Sequence, residues 1–480
     1  MTTPKTNTDR YPGGDALPVI DGRSAFAVGS EFPPERERGR IYQFDRFYRW
    51  SNHQYVGFLP QEDEALQLRF NVSGRQSSYR LAPNMFRFIM RFWGDAIAEP
   101  PVLDYEGSDR IGEFLKLLGP SLARASRLVV HDMIRYGVGV FWSRHPMIPE
   151  SIDPRFWFPI RPAHDEHGEG GNVIAYPYTV KPDSANDHIF IASYDEEGNA
   201  TGRLHKLDGL TISSQVGTTE VPSVEGAVVA IRTGEGFYGT SDYIDSAEYV
   251  AELVRREGSI SAALDRHANP HLAVPEGSLQ VDANGNVTIA QDGMVIPVPD
   301  GGAMPAYVTW EAHFDAQTEA ISRAEQRILR FSQIAPILAT PGEFQLRGGL
   351  PSGAALRRLA VISVNRLSSI RQSLDEAYRQ VIPAQAALLG ESGGEKLVLE
   401  PDKIGITWPP PFGTGTDEAE AIATLVNAGA MSKETALQLT ERISRSEAEE
   451  QAQEQQQQAF AMEQPDDRQQ STRKVRAGRS

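Results

Sequence analysis

The stretch GTSDYIDSAEYVAELVRREGSISAALDRHANP, residues 239–270, decides the architecture of this chain. It reads as one long helix from about Ser241 to Ala268, with Thr240 or Ser241 placed to cap its first turn. Asn269-Pro270 ends it, because proline disfavours a helical residue before it and cannot continue the hydrogen-bond ladder. A β-rich segment follows, in which Asn284-Gly285 forms a tight turn between Leu279–Val281 and Val287–Ile289. A second helix is expected from roughly Ala312 to Ile334, and after it a Gly/Pro-rich loop, Thr340 to Gly353. A third helix spans about Ala354 to Ile382. Its residues Leu356, Leu359, Ser363, Leu367, Ile370, Leu374, Ala377 and Val381 recur at three and four positions, a single apolar stripe. Arg357, Arg358, Arg366, Arg371 and Arg379 lie on the opposite face. The fold class is α+β.

Upstream, the aromatics Tyr42, Phe44, Phe47, Tyr48, Trp50 and Tyr55, then Phe86, Phe88, Phe92 and Trp93, read as packed helical core rather than a base-stacking platform. Gly112 to Tyr136 is an amphipathic helix with Leu118, Leu122, Ala125, Leu128 and Val129 towards the core. Gly137 to Trp142 reads as a buried strand. From Trp157 to Arg232, short alternating runs between turn clusters predict an antiparallel sheet, with a hairpin turn at Tyr194–Asn199.

With 480 residues the chain is long enough for two or more domains. It has no cysteine, so neither disulfides nor thiolate metal sites are available, which suits a reducing compartment. No apolar run is long enough for a transmembrane helix. Residues 1–40 are polar and rich in Gly and Pro, and read as a flexible arm. Residues 451–480 pass from Glu/Gln-rich low complexity to a basic end, and read as disordered. A net charge of −17 argues against a protein that grips phosphates through a basic face.

Motifs for chemistry are few. Gly234-Glu235-Gly236-Phe237-Tyr238-Gly239 satisfies G-x-G-x-x-G between the strand-like Val228–Ile231 and a helix, as a dinucleotide site requires. Glu235 would set a carboxylate beside the pyrophosphate, and no second parallel strand follows to carry a ribose-binding acid. His164-Asp165-Glu166-His167 has no third ligand at a metalloenzyme spacing and reads as a solvated loop. Asp282 to Asn286 fails as a calcium loop, because its glycine falls at the fourth position instead of the sixth. The dipeptide Gly-Lys is absent, which excludes a Walker A loop.

The order helix, β-rich segment, helix, Gly/Pro loop, long helix closes with the phrases Ile406-Thr407-Trp408-Pro409-Pro410-Pro411 and Asn427–Ala436. Together with Phe92–Pro101, this succession resembles the portal proteins of tailed double-stranded DNA phages over about Ile41 to Glu450. The resemblance implies a wing over 41–239 and 336–412, a stem of two long helices over 240–270 and 312–335, a β-rich clip over 271–311 and a helical crown over 413–450. It implies that the loop 340–353 projects into a channel, with Glu343, Gln345 and Arg347 facing the duplex and Gly342, Gly348, Gly349 and Gly353 as its hinges. The subunits would form a ring of about twelve copies at one capsid vertex of the virion, assembled in host cytoplasm. Double-stranded DNA would pass through it without sequence specificity. Terminase large subunit, major capsid and scaffolding proteins and a head-completion adaptor would be partners, with no membrane, catalytic residue, cofactor or metal. The alternative is a cytosolic oxidoreductase built on Gly234, Gly236 and Gly239. A shorter head–tail adaptor is a further rival that the chain length disfavours.

Overall fold

The computed structural model describes residues 25–52, 83–106, 108–160, 171–179, 187–195, 197–234, 238–268, 271–275, 295–298, 306–308, 314–339, 360–393 and 397–409. Its helices are α1 (Arg38–Trp50), α2 (Met85–Ala96), α3 (Asp109–Tyr136), α4 (Asp242–Ala268), α5 (Phe314–Phe331), α6 (Pro336–Ala339) and α7 (Val361–Glu391). Strands β1 (Val102–Tyr105), β2 (Val138–His145), β3 (Ile148–Ile152), β4 (Trp157–Ile160) and β5 (Gly171–Tyr178) alternate with the early helices. After these come β6 (His188–Tyr194), β7 (Ala200–Asp208), β8 (Thr211–Thr219) and β9 (Val228–Arg232). The later strands are β10 (His271–Pro275), β11 (Val295–Val298), β12 (Ala306–Val308) and β13 (Ile404–Thr407). The chain divides into two compact units, one of residues 1–41, 91–240 and 351–480, the other of 42–90 and 241–350.

The first unit is built on a five-stranded antiparallel meander in the order β4-β5-β6-β7-β8. Both faces of β4, β5 and β6 are buried, so these strands are apolar on consecutive residues, whereas β7 alternates. Phe158, Val173, Ala175, Ile189, Ile191, Leu207 and Ile212 meet Phe26 and Phe32 of the N-terminal segment on one face. Ile174, Phe190, Ala192 and Tyr194 meet Trp142, Val224, Ala227, Ala384 and Leu388 on the other. The hairpin at Tyr194–Asn199 forms as expected, with the Asp195 carboxylate accepting from the Asn199 backbone N–H at 2.7 Å. Val228–Arg232 leaves the meander, however, and pairs antiparallel with β2 in a separate sheet, β3-β2-β9.

Helix α3 begins where Ser108 accepts from Ile111 N at 3.4 Å and stops at Gly137, in the left-handed region at φ 92°, whose N–H reaches Met133 O at 2.8 Å. Leu118, Leu122, Ala125 and Val129 are buried as expected, but Leu128 is 48% exposed and corrects the expected core face. Helix α7 also departs from expectation. Its stripe of Ser363, Leu367, Ile370, Leu374, Ala377 and Val381 is buried, yet the helix does not stop at Ile382. It runs through Pro383 to Glu391, because the following turns bury Ala384, Ala386 and Leu388. An interior proline costs about 3 kcal/mol, and burying a leucine alone recovers roughly 2 kcal/mol.

In the second unit, Trp50 stacks on Phe86 at 5.3 Å, and Phe86 and Phe47 pack on Tyr243 at 4.6 and 6.0 Å. Phe47, Trp50, Phe86 and Tyr243 are each at most 1% exposed, which bears out the core reading for Phe47, Trp50 and Phe86, but Tyr42 and Tyr48 are 64% and 39% exposed and correct it. The Tyr243 hydroxyl donates to Phe86 O at 2.9 Å. Helices α4 and α5 pack against each other. Tyr249, early in α4, stacks on Phe331 at the end of α5 at 5.3 Å, so the two helices are antiparallel. Between them in sequence lies a three-stranded sheet, β11-β10-β12, with β10 parallel to β11 and antiparallel to β12. The helix bounds differ little from expectation, except that α5 ends at Phe331 and Gln333 takes a positive φ of 57° before α6. The Asn284-Gly285 turn lies outside the described residues.

Candidate functional site

The glycine motif is a sequence pattern with a cofactor precedent, and its last glycine is packed against backbone. Gly239 has φ 68°, and a Cβ there would lie 2.2 Å from Gly137 O and 2.7 Å from Thr233 O. Gly137 has its own missing Cβ directed at Gly239 C and Thr240 N, both at 2.7 Å. Thr233 and Thr240 close the turn: Thr240 N donates to Thr233 O at 2.6 Å, and Thr233 Oγ1 donates to Thr240 O at 2.9 Å. Gly234 lies beside the Thr240 side chain, and Gly236 lies outside the described residues. Of the motif's described glycines, Gly239 approaches other backbone and Gly234 a side chain. The strand before them is antiparallel to its neighbour, which removes the βαβ frame of a dinucleotide site. In the second unit, the Ser241 hydroxyl accepts from Tyr243 N at 3.1 Å and caps α4 as expected.

Beside this turn sits a buried polar group that motif reading missed. Glu37 and Arg40 form an ion pair, 1% and 7% exposed. Arg40 donates to Pro154 O at 2.8 Å and Trp157 O at 3.0 Å, and its guanidinium lies 4.6 Å from the Tyr238 ring centre. Tyr238 donates to Glu37 at 2.8 Å, and burial drives its hydroxyl pKa upward. Every acceptor here belongs to the chain itself, so the cluster fastens the start of α1 to β4. The i, i+3 spacing of Glu37 and Arg40 was its one visible signal. On α3, His131 lies against Gly94: a Cβ on that glycine would meet the ring at 2.2 Å. Burial, then the Arg127 and Arg135 charges, lower the His131 pKa to about 4.

The arginine face of α7 also has intramolecular work. Arg371 donates to Pro409 O at 2.7 Å and Arg379 to Pro401 O at 2.6 Å. Trp408 is held between them. Its indole N–H donates to Asp375 at 2.7 Å, its ring stacks on Tyr378 at 6.0 Å, and Arg371 lies 5.2 Å from its ring centre. Tyr378 hydrogen-bonds Ser126 of α3 at 2.7 Å, and β13 pairs antiparallel with β1, Val102 opposite Thr407. The phrase around Trp408 is thus a clamp that ties the chain back onto α7.

Glu343, Gln345 and Arg347, and the glycines Gly342, Gly348, Gly349 and Gly353, lie outside the described residues, as do His164–His167, Arg357, Arg358 and everything after Pro409. The described flank before the loop is anchored: Ile334 and Ala335 are buried, and Ile334 N donates to Leu329 O at 2.8 Å. Among the described residues no group of three or more His, Asp or Glu side chains is placed to hold a metal ion, and no helix is long and apolar enough to cross a membrane.

Residues 262–461 match the family model described as Phage portal protein, SPP1 Gp6-like. The match begins in the last turns of α4 and takes in the three-stranded sheet, α5, α7 and the Trp408 clamp. No curated protein matches the sequence. Among solved structures, the chain is similar to a chain titled "Neck of native GTA particle computed with C12 symmetry", at TM-score 0.40 and 15% identity, over 78% of this chain and 93% of that one. It is similar to one titled "Neck of empty GTA particle computed with C6 symmetry" at TM-score 0.40 and 13% identity, with the same coverage.

Proposed function

Proceeding from the match of residues 262–461 to the SPP1-type phage portal family, we propose that this chain is a portal subunit, one copy in a ring that forms the head–tail connector of a phage-like particle. The observation that carries the reading is this family match, which spans the β10–β12 sheet and α5. It is supported by the antiparallel α4–α5 pair with that small sheet inserted between them. In this reading α4 and α5 are the stem, residues 271–311 the clip, 41–239 and 336–412 the wing, and 413–450 the crown. Closed rings arise when one heterologous interface repeats through a rotation that closes.

DNA enters and leaves through the ring, and the loop 340–353 touches it as it passes, through Glu343, Gln345 and Arg347. A net charge of −17 on each chain sums to about −200 over twelve copies, a field that keeps the duplex from adhering. With no Walker A loop in the chain, the work of packaging falls to a terminase motor docked on the clip. Capsid, scaffolding and head-completion proteins contact the outer surfaces. Size-exclusion chromatography with negative-stain imaging tests the reading. The expected particle is a ring with a central hole. A compact small oligomer that binds NAD would overturn it.

A further inference from the structure

Leu128 is not the only apolar side chain that α3 turns to solvent. Leu117, on the same face nearer the start of the helix, is 68% exposed, and the exposed Arg124 lies between the two. At about 100° per residue, these three side chains fall within roughly 40° of one another around the helix axis. On one flank, Ser121 Oγ donates to Met147 O at 2.7 Å, which brings the β2–β3 turn and its exposed Ile148 against this face. On the other flank, Arg127 pairs with Asp95 at the end of α2, one turn after the exposed Arg91. Large apolar side chains interleaved with arginine at the surface are the composition of a contact face.

The first unit carries a surface of opposite charge on its far side. Ser126 lies about 180° around α3 from Leu117, and its hydroxyl meets that of Tyr378 on α7 at 2.7 Å. Gln380 lies about 200° around α7 from Tyr378, and so faces away from α3. There it lines a cleft of about 200 Å³ together with Asn172, Asp195 and Glu225. Two glycines let the walls of the cleft close on one another. A Cβ on Gly226, at φ 74°, would lie 2.7 Å from Gln380 O, and one on Gly198, at φ 81°, would lie 2.6 Å from Glu225 N. Asp195 and Glu225 are both exposed, so the cleft presents two carboxylates. A heterologous contact needs a different surface on each side of the subunit, and opposite charge sets which surfaces meet. We infer that the Leu117–Leu128 face of α3 in one copy docks on the Asp195–Glu225 cleft of a second copy, with Arg124 entering the cleft. This contact rests on the portal reading, which supplies the ring, and adds to it which surfaces meet.

Light scattering on the full chain across a dilution series tests it. The concentration for half-assembly is expected to rise about tenfold or more in Arg124→Glu and in Glu225→Arg, because each sets like charges together. The double variant Arg124→Glu/Glu225→Arg restores opposite charges and is expected to recover most of that loss. Both positions are exposed, so urea midpoints equal to the parent's are expected and report an intact fold. Assembly that is unchanged in the single variants, or that the double variant fails to recover, overturns the docking and leaves the ring itself standing. The α3 face would then belong to another protein or to the chain's own ends. A parent chain that stays monomeric overturns the portal reading and the docking together.

Discussion

Two residues carry the sharpest tests at the scale of single side chains. Gly239→Ala forces a Cβ into the Gly137 and Thr233 carbonyls at a positive φ, and backbone atoms cannot move aside as a side-chain tip can. The expected loss is about 2 kcal/mol or more in urea unfolding. A loss of a few tenths would mean the turn is looser than its geometry, and would reopen the phosphate reading of the motif. His131 is the second. Its folded pKa of about 4 lies below the ordinary 6.5, so the fold prefers the neutral ring. The stability linked to that preference is full above pH 6.5 and is lost as pH falls towards 4. The thermal midpoint should drop across that window, and His131→Gln should flatten the dependence. An unchanged slope in the variant would remove His131 from the account. The sequence showed the glycines as a motif, but only the backbone on their other side distinguishes a closed turn from a cradle.

At the scale of elements, the Trp408 clamp and the Arg40 cluster hold segments distant in sequence. Trp408→Ala removes a partly buried ring together with its bond to Asp375, at an expected cost of about 2 kcal/mol. Limited proteolysis of the variant should cut between Leu399 and Pro409 sooner than in the parent, and equal rates would show that β13 pairing alone is sufficient. Arg40→Ala leaves Glu37 buried without its cation, and a loss of about 3 kcal/mol is expected in denaturant unfolding. The long helices were legible because apolar residues repeated at helical spacing and caps stood at their ends. The extension of α7 through Pro383 was not, because local propensity forbids it and the gain comes from a sheet formed by residues 157–219. The exposure of Leu128 has the same origin: periodicity places it near the apolar face, and the packing partners reach only part of that face.

For the whole molecule, the portal reading predicts a discrete assembly. Twelve copies of a 52.9 kDa subunit make a particle of about 630 kDa, to be measured by light scattering. A monomer at micromolar concentration in the presence of scaffolding and capsid proteins would count against it. The amino-acid sequence by itself determined the α+β class, the helix–sheet–helix order from residue 241 to 331 and the absence of thiol chemistry. Each of these follows from local pattern or composition and needs no knowledge of distant contacts. Tertiary structure alone decided that β9 leaves the meander, that Gly239 packs on Gly137, and that Arg371 and Arg379 grip backbone carbonyls of the same chain. Those outcomes depend on which segments meet across about twenty to a hundred residues, and the free energy that selects among such meetings resides in burial and hydrogen-bond pairing that no local window contains.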